Sequence, residues 1–392
     1  MPCLSGPGAA VTVAQLETDP HPVLARLRAQ APVAHVPAID GWLVTRHDLV
    51  VEALRDAATF TVDDPRFTTS RVVGPSMLSL DGEEHARHRA PFTGPFRPRE
   101  VRERFAAEVA EEAARRADEL AATGGGELRR AFAGPLSATT VALSLGLARD
   151  ETPAVLGWYE AIVGSVNGMS AGRPPTQEGA AAYRALAARL LETVAADTGQ
   201  ASLLAAAAAG SGLTEAQLCA NAAILLFGGI ETTEGMIANA LVMLLQRPDV
   251  LAAARADPGV LDAAIEESLR LEPAAAALDR YATTEAVLGG VTVPAGSFVR
   301  LSVSAANRDP AVFTDPDAYD LERSARGHLA FAQGPHVCVG VHLARLEARA
   351  GIAALLARLP GLRLDPAGEH EIRGLVFRKP PRLDCLWSAE AA

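Results

Sequence analysis

One cysteine near the C-terminus lies between two glycines in the segment Phe331–Gly340 (FAQGPHVCVG), directly ahead of a helical pattern that begins at Val341. A cysteine thiolate can be the axial ligand of a haem iron, where it pushes electron density onto the metal and favours cleavage of an O–O bond. Backbone N–H groups at the start of the helix would face the Cys338 sulfur and favour thiolate over thiol. Gly334 and Gly340 would let the loop and helix lie flat against a macrocycle. The alternative for a lone cysteine is a small buried core residue.

A second candidate for chemistry is the segment Gly228–Thr232 (GGIET), in the middle of a long apolar helical pattern. Two glycines inside a helix cost about 1 kcal/mol each relative to alanine, and an acid and a hydroxyl among apolar residues add to that cost. Such a cost suggests a function for Glu231 and Thr232. The alternative is a packing notch where another helix crosses, with Thr232 bonded to the carbonyl four residues earlier.

The spacing Phe-x-x-Gly-x-x-x-Cys-x-Gly resembles the signature of the cytochrome P450 family, and three further motifs of that family occur in the same order along most of the chain. The resemblance implies haem b (iron protoporphyrin IX) as the cofactor, with Cys338 as the iron ligand and Phe331 and Gly340 beside the macrocycle. Ala332 stands where many members of the family have glycine, a departure that tightens the loop and leaves the ligand in place.

The pattern Gly-Gly-x-acid-Thr is similar to the oxygen-binding segment of the same family. By that likeness, Gly228 and Gly229 let the helix approach the haem. Thr232, with a water in an opened helix, would hydrogen-bond bound dioxygen, and Glu231 would relay protons from solvent.

The resemblance implies a structural role for one pair of oppositely charged residues. Glu267 and Arg270 are at positions i and i+3 of a helical pattern, and on an exposed helix such a pair contributes only tenths of a kcal/mol. In the family this Glu-x-x-Arg pair is buried and joined by a downstream arginine, which in this chain would be Arg323. The resemblance implies a structural cluster that holds the segment leading to Cys338.

The two propionates of a haem are anionic and need cationic or hydrogen-bonding partners. His85 and Arg89 lie at i and i+4 of a predicted helix, and this segment resembles the family's propionate-binding helix. Arg280 and His336 match its other propionate contacts. Taken singly, each of the four is better interpreted as an exposed basic side chain, and only the four matching positions together favour the propionate role.

Composition limits the fold and excludes some functions. The chain has 392 residues, of which 49% are hydrophobic and only 5% aromatic, so alanine and leucine build most of the interior and helices are favoured. No Pro/Ser-rich linker or repeat divides it, which predicts a single domain over residues 1–392. A net charge of −11 argues against nucleic-acid binding.

The cysteines Cys3, Cys219, Cys338 and Cys385 lack the paired spacing of a zinc site or of a small disulfide framework. No signal-like segment and no apolar run of about 18 residues is found, so no membrane association and a cytoplasmic location are expected.

Periodicity predicts helices over Val101–Ala122, Leu136–Leu147, Glu178–Ala196, Glu215–Leu245, Val260–Leu271 and Val341–Leu359. It predicts strands over Val33–Val36, Trp42–Thr45, Ala286–Val293 and Ser297–Ser302, the first two as a hairpin. The resemblance implies a mainly α (α+β) fold of the family, with a triangular helical body and a smaller strand-rich lobe.

Substrate contacts are expected from Val72, Met77, Leu78, Val163–Pro175, Ile224, Phe227, Ala274–Leu278 and Leu375–Phe377. The four alanines at Ala274–Ala277 indicate a roomy, apolar pocket. The resemblance thus implies a monooxygenase that hydroxylates or otherwise oxidises a small, largely apolar molecule, in secondary metabolism. Oxidative coupling, desaturation and peroxide-driven oxidation are alternatives within the fold, and a non-catalytic haem-binding sensor is an alternative of another class.

No flavin or iron–sulfur motif is fused to the chain, so electrons are expected from a separate ferredoxin and ferredoxin reductase. The arginines near the predicted thiolate face could attract an acidic carrier or could simply be solvated: Arg97, Arg99, Arg102, Arg345 and Arg349.

Overall fold

The computed structural model describes residues 6–170, 173–197, 202–323 and 326–389, so Cys3 and part of the predicted substrate segment Val163–Pro175 lie outside the described residues. Helices make up most of the described chain. They are α1 (Val13–Glu17), α2 (His21–Gln30), α3 (His47–Arg55), α4 (Ser70–Val73), α5 (Gly82–Thr93), α6 (Pro98–Ala121), α7 (Gly134–Ser144), α8 (Thr152–Ser170), α9 (Gln177–Ala196), α10 (Leu203–Ala208), α11 (Glu215–Leu245), α12 (Pro248–Ala256), α13 (Pro258–Leu271), α14 (Val303–Ala306) and α15 (Val341–Arg358).

The strands are short and form three small sheets in the described chain. They are β1 (Val33–Val36), β2 (Gly41–Val44), β3 (Phe60–Thr61), β4 (Gly125–Glu127), β5 (Ala277–Ala282), β6 (Ala286–Leu288), β7 (Val291–Val293), β8 (Phe298–Ser302), β9 (Arg363–Leu364) and β10 (Asp384–Leu386). The largest sheet has the order β1-β2-β8-β5-β3, the second the order β4-β10-β9, and the third is the hairpin β6-β7.

The predicted elements are confirmed more fully for helices than for strands. All six predicted helices are present, with ends that differ by no more than three residues. The predicted hairpin is β1 paired antiparallel to β2, with Val33 opposite Val44. The second strand set is only partly confirmed, because Ala286–Val293 folds back on itself as β6 and β7 while β8 pairs with β2 and β5. The fold is mainly α with small sheets, as predicted.

The long helix α11 begins where its capping residues predict. Thr214 Oγ1 accepts a hydrogen bond from Gln217 N at 3.3 Å, and Gln217 Oε1 accepts one from Thr214 N at 3.1 Å. These reciprocal bonds satisfy two backbone donors that the first helical turn leaves free. From there α11 runs for 31 residues, a length of about 46 Å at a rise of 1.5 Å per residue.

Two apolar clusters meet on α11. Residues between Leu218 and Ile230 pack with α6 and α9, and residues between Met236 and Leu245 pack with α13 and α15. Positions 231–235 lie between the two clusters. The packing therefore places the predicted polar pair at a boundary rather than inside either cluster.

Among the described residues, no single helix is both long enough and apolar enough to cross a membrane. One pair of helices, α11 with α12, meets that length and hydropathy test jointly, but the two are bent by 113°. The α11 half of this pair is mostly buried in the protein core.

Candidate active site

Backbone geometry fixes the cysteine loop. Cys338 N donates a hydrogen bond to the Phe331 carbonyl at 2.9 Å. Gly334 has a φ of +73°, and a Cβ there would lie 2.4 Å from the Leu54 carbonyl oxygen, so only glycine fits. Ala332 also has a positive φ, +58°, so the departure from glycine at this position carries backbone strain.

Cys338 is an exposed residue, but many protein atoms lie near its sulfur. Burial raises the pKa of its thiol, while the backbone N–H of Gly340 and the charges of Arg89 and Arg345 lower it. The predicted contribution of the helix start is therefore present through Gly340, but burial outweighs it. Coordination of a metal cation reverses that balance, because a coordinating thiol is deprotonated outright.

The predicted propionate contacts gather around Asp81. His85 and Arg89 line one cavity of about 590 Å³. His336 Nε2 lies 2.7 Å from Asp81 Oδ1, and the ring centroids of His85 and His336 are 4.3 Å apart. Arg280 is buried, donates to a backbone carbonyl at 2.8 Å, and lies close enough to feel the charge of Asp81. All four predicted residues thus share one neighbourhood.

Within this group, His85 has an unsatisfied ring nitrogen. Its Nε2 is buried and has no hydrogen-bond partner in the described part of the chain. Burial, followed by the charges of His336 and Arg89, lowers the pKa of His85 to about 4. Burial raises the pKa of Asp81, but hydrogen bonds from His336 and Thr61 outweigh it and bring that pKa to about 2. A neutral imidazole with a free nitrogen beside an arginine is suited to bind an anionic oxygen.

Thr232 makes the bond named in the structural alternative. Its Oγ1 donates to the Gly228 carbonyl, four residues earlier, at 2.6 Å. Helix α11 is a continuous α-helix through this segment, so the unwinding of the helix that was expected at the glycines is not observed. The hydroxyl oxygen of Thr232 keeps its lone pairs free to accept a hydrogen bond.

The two glycines of α11 have different surroundings. A Cβ on Gly229 would lie 3.1 Å from the Val141 side chain of α7, which is a close helix–helix contact. A Cβ on Gly228 would have no heavy atom within 4 Å. Both glycines were predicted to let the helix approach the haem, but the packing notch applies to Gly229, and only Gly228 borders open space.

Solvent exposure along α11 is confined to one short stretch. From Leu218 to Leu245 every residue is buried except Phe227, Gly228, Gly229, Glu231 and Thr232. The predicted acid and hydroxyl therefore lie in a solvent-accessible stretch of an otherwise buried helix. We call this stretch, residues 227–232, the opening of α11.

Glu231 belongs to a charged network that the sequence analysis did not find. Lys379 Nζ lies 2.8 Å from Glu231 Oε1 and 2.5 Å from Glu234 Oε2. Arg129 Nε lies 2.9 Å from the other carboxylate oxygen of Glu234. Tyr159 of α8 donates its hydroxyl to Glu231 Oε2, and burial and then the Glu231 charge raise the pKa of Tyr159 above its ordinary value. We name Glu231, Glu234, Lys379 and Arg129 the Glu231 cluster.

Two features of the sequence could have indicated this cluster. Lys379 is the only lysine of the chain, and Glu234 lies one helical turn after Glu231. Nothing in the sequence indicated Tyr159, because it lies in the first half of α8, before the predicted substrate segment that begins at Val163.

Aromatic residues from three elements meet beside the opening of α11. The ring centroid of Phe227 is 6.5 Å from that of Tyr159 and 5.7 Å from that of Phe377. Ala275 forms an isolated β-bridge with Phe377. The predicted contributions of α11, the alanine segment and the C-terminal turn are therefore adjacent in space.

The predicted structural cluster of Glu267, Arg270 and Arg323 is confirmed. Arg270 Nη2 lies 2.7 Å from Glu267 Oε1, and their side chains are only 0% and 1% exposed. Arg323 Nε lies 3.3 Å from the same Glu267 oxygen. We name these three residues the Glu267 cluster.

Three of the five predicted surface arginines have ion-pair partners. Arg345 Nε lies 2.5 Å from Glu266 Oε1, and its guanidinium stacks over Phe331 at 4.6 Å. Arg349 and Arg99 pair with acids at 3.2 Å and 2.7 Å. Arg345 thus has a structural contact that a solvated arginine lacks.

The chain is similar to known proteins in its family motifs, in its sequence and in its structure. The family model "Cytochrome P450" matches residues 192–369. The chain is 36% identical over 362 residues to cytochrome P450 monooxygenase PikC of Streptomyces venezuelae, covering 88% of this chain and 85% of that protein. It is 34% identical over 389 residues to nocardicin C N-oxygenase of Nocardia uniformis subsp. tsuyamanensis, covering 94% of this chain and 96% of that protein.

Solved structures give the same result. CalO2 aligns with a TM-score of 0.86 at 28% identity, covering 95% of this chain and 97% of that one. P450BioI, solved in complex with an acyl carrier protein carrying hexadec-9Z-enoic acid, aligns with a TM-score of 0.84 at 29% identity, covering 94% and 99%. Relatives named as monooxygenases or oxygenases favour catalysis over the sensor alternative. With the cysteine loop and the opening of α11, these findings lead to one assignment: the chain belongs to the cytochrome P450 family and is a haem-thiolate monooxygenase that acts on an organic substrate.

Proposed function

We propose that this enzyme binds haem b through Cys338 and inserts one oxygen atom into a small, largely apolar molecule of secondary metabolism. The observation that carries the proposal is the opening in α11, where Glu231 and Thr232 are accessible while the rest of the helix from Leu218 onward is buried apart from three neighbours. A carboxylate and a hydroxyl that solvent can reach can exchange protons with it, whereas the same pair buried in the core could not.

The residues present fit a haem. Gly340 and Gly228 both border open space, since a Cβ on either would have no heavy atom within 4 Å. His85 Nε2 is a buried nitrogen without a partner, and it is accompanied by the cationic side chains of Arg89 and Arg280. These groups would hold two propionates, with His336 and its partner Asp81 beside them. Gly228, more than Gly229, supplies the room on the side of α11.

The chain's own residues would perform the following steps. The haem, when bound, supplies the activation of dioxygen. Thr232 would offer its hydroxyl oxygen as an acceptor while its own proton is directed to the Gly228 carbonyl. To pass a proton onward, its hydroxyl would turn away from that carbonyl and release its own proton as its oxygen takes up the next one. Glu231 would bring protons from solvent, and the aromatic wall of Tyr159, Phe227 and Phe377 would hold an apolar substrate and exclude water.

The relatives support a role in secondary metabolism. Nocardicin C N-oxygenase and 20-oxo-5-O-mycaminosyltylactone 23-monooxygenase, at 34% and 33% identity, act on the natural products in their names. We extend to this chain only the class of substrate, an organic secondary metabolite.

Separate ferredoxin and ferredoxin reductase proteins would supply the electrons. Arg97 and Arg102, which are exposed, are better placed to attract an acidic carrier than the paired Arg345. The single-domain proposal for residues 1–392 is supported by the 94% coverage in the nocardicin relative.

The ligand assignment is tested by absorption spectra of the reduced carbon-monoxide adduct after haem reconstitution. Cys338→Ser should lose the thiolate signature. Cys219→Ser and Cys385→Ser, at two buried cysteines, should retain it. A Cys338→Ser protein with an unchanged spectrum would refute the assignment.

The proton-transfer assignment is tested by coupling, the ratio of product formed to electrons consumed. Thr232→Ala should lower coupling by about tenfold or more, because a positioned proton-transfer group contributes about 10²–10⁴-fold to the rate of its step. Thr233→Ala is the control, because Thr233 is the buried neighbour on the same helix, and it should leave coupling near the original ratio. Full coupling in Thr232→Ala would contradict the role.

A further inference from the structure

The only lysine of the chain is shared by two carboxylates of one helix. Lys379 Nζ contacts Glu234 Oε2 at 2.5 Å and Glu231 Oε1 at 2.8 Å. Its side chain is 13% exposed, and those of Glu231 and Glu234 are 14% and 8% exposed. The ammonium group is therefore mostly removed from water, and its two partners are three residues apart on α11.

Two glycines allow close packing around these side chains. A Cβ on Gly235 would lie too close to Ala274 Cβ, at 2.9 Å, and in ordinary contact with Lys379 Cβ, at 3.5 Å, so α11 packs tightly against Ala274 beside the lysine stem. A Cβ on Gly134 would lie 3.2 Å from Glu234 Oε1, so the glycine leaves room for the Glu234 carboxylate. Glycine is costly in a helix interior, and here it allows the close packing beside the two acids and the lysine.

The backbone that carries Lys379 is fixed to the same helix. Asn239 of α11 donates from Nδ2 to the carbonyl of Arg378 at 2.9 Å, and Lys379 N donates to the Arg373 carbonyl at 3.0 Å. Arg129 Nη1 donates to the Pro381 carbonyl at 2.6 Å. The lysine therefore reaches the acids from a held segment.

The Glu231 cluster contains two acidic and two basic side chains, but the two acids do not have equal numbers of cationic partners. Glu234 has a second cation, Arg129, at 2.9 Å. Glu231 has Lys379 on one oxygen and the neutral Tyr159 hydroxyl on the other. Breaking a buried ion pair is costly mainly because one charge is left without a partner. If Glu231 turns away from Lys379, the ammonium still has Glu234.

We propose that Lys379 is a positioning residue for Glu231, and that Glu234 is the second partner which lets Glu231 leave Lys379 and turn toward Thr232. The proposal rests on the proton-carrying role proposed for Glu231. In the observed arrangement both Glu231 oxygens are engaged and Thr232 donates to Gly228. Proton delivery thus requires Glu231 to exchange partners, and Glu234 lowers the cost of that exchange.

The sharing itself is tested without turnover, by acylation of the single lysine with an N-hydroxysuccinimide ester and mass spectrometry at position 379. The intact protein should react about tenfold or more slowly at Lys379 than urea-unfolded protein. Glu231→Gln and Glu234→Gln should each stay protected, because one acid remains. The double variant should react several-fold faster. Equal reactivity of either single variant and the double variant would overturn the sharing.

The positioning role is tested by the pH profile of coupling. Lys379→Met should move the acidic limb of the profile up by about one pH unit, because a cation near a carboxylate favours its ionised form. Glu234→Gln should move the acidic limb to lower pH, because the charge of Lys379 then acts on Glu231 alone and favours its ionised form. The groups that face Glu231 are Tyr159, Lys379 and Glu234, with Arg129 behind Glu234. Lys379→Arg should restore the original limb.

A double-mutant cycle completes the test. The downward shift caused by Glu234→Gln should vanish in the Lys379→Met background. Shifts of the same sign in both single variants, or an unchanged profile in both, would overturn the proposal. Glu231→Gln separates the proposed function of Glu231 from the positioning role of Lys379. Unchanged coupling in Glu231→Gln would refute the proton role. Lowered coupling in Glu231→Gln, together with unchanged pH profiles in the Lys379 and Glu234 variants, would refute only the positioning.

Discussion

The Glu267 cluster and the Glu231 cluster contain the same chemical groups, carboxylates and cationic side chains, at low solvent exposure. They differ in how fully each group is satisfied. Arg270 contacts both oxygens of Glu267 at 2.7 and 2.8 Å, and its remaining donors reach the carbonyls of Asn307, Pro316 and Ala318. In the Glu231 cluster, a single ammonium group is divided between two acids.

The difference separates a structural cluster from one that can move. A guanidinium with every donor bonded to backbone or carboxylate has one arrangement, and any change leaves several groups unpaired. The divided lysine has at least two arrangements of similar charge balance. The first cluster is tied through Arg323 to the chain that precedes the cysteine loop, where rigidity would hold the proposed iron ligand. The second cluster borders the open part of α11, where we propose that a proton travels.

The largest expected effect comes from Arg270→Met. It leaves Glu267 without its bidentate partner and three backbone carbonyls without donors, and loss of one partner from a buried pair costs about 3–5 kcal/mol. Urea unfolding of the apoprotein measures the free energy. Lys379→Met is the matched control and should cost less than Arg270→Met, because Glu234 keeps Arg129 and Glu231 keeps the Tyr159 hydroxyl as partners. Equal losses in the two variants would erase the distinction between the clusters.

A smaller effect, sensitive to pH, is expected at Glu266, the neighbour of Glu267. Burial raises the pKa of Glu266, but hydrogen bonds from His328 and Arg345 outweigh it and bring that pKa from 4.5 to about 2. A folded-state pKa below the unfolded value gives stability that is present above pH 4.5 and is lost as the pH falls toward 2. With the carboxyl 29% exposed, the contribution is about 1–2 kcal/mol.

The measurement compares Glu266→Gln with the original chain by urea unfolding at pH 6, 4 and 3. The variant should be less stable at pH 6, and the difference should narrow at pH 4 and again at pH 3. A difference that stays constant across this range would mean that the carboxylate charge contributes nothing to stability.

Sequence alone predicted the parts of this site that are local in the chain. The cysteine loop, the capping box of α11 and the polar pair at Glu231 and Thr232 each depend on residues within a few positions of one another, so a motif records them. The Glu267–Arg270 pair is likewise one helical turn long, although its burial followed from the family resemblance.

The unpredicted parts are contacts between distant segments. Tyr159 is 72 residues from Glu231, and Lys379 is 145 residues from Glu234. Nothing local to these residues specifies the partner, which is set by how α8 and the C-terminal turn pack on α11. The same holds for β8, whose pairing with β2 joins segments more than 250 residues apart, and for Gly229, whose neighbour Val141 belongs to another helix.

Gly235→Ala tests whether the Glu231 cluster depends on the space beside α11. A methyl group there meets Ala274 Cβ at 2.9 Å, and such overpacking costs about 1–3 kcal/mol, partly offset by up to about 1 kcal/mol of helix propensity. The expected net loss in urea unfolding is about 1 kcal/mol. Gly164→Ala in α8, where a Cβ has nothing within 4 Å, should instead gain stability. A gain in both would show that α11 has room to spare at Gly235.

The smallest effect is expected on the rigid side, at Ala332. Its φ of +58° is left-handed, a conformation that costs an alanine about 1 kcal/mol and glycine almost nothing. Ala332→Gly should therefore raise the free energy of unfolding by about 0.5–1 kcal/mol, since the methyl group is only partly buried. Ala344→Gly in α15 is the matched control and should lose about 1 kcal/mol, because glycine is unfavourable in a helix interior. If both substitutions destabilise equally, the strain at Ala332 is offset by its packing, and the rigidity of the cysteine loop comes from Gly334 and the Phe331 carbonyl alone.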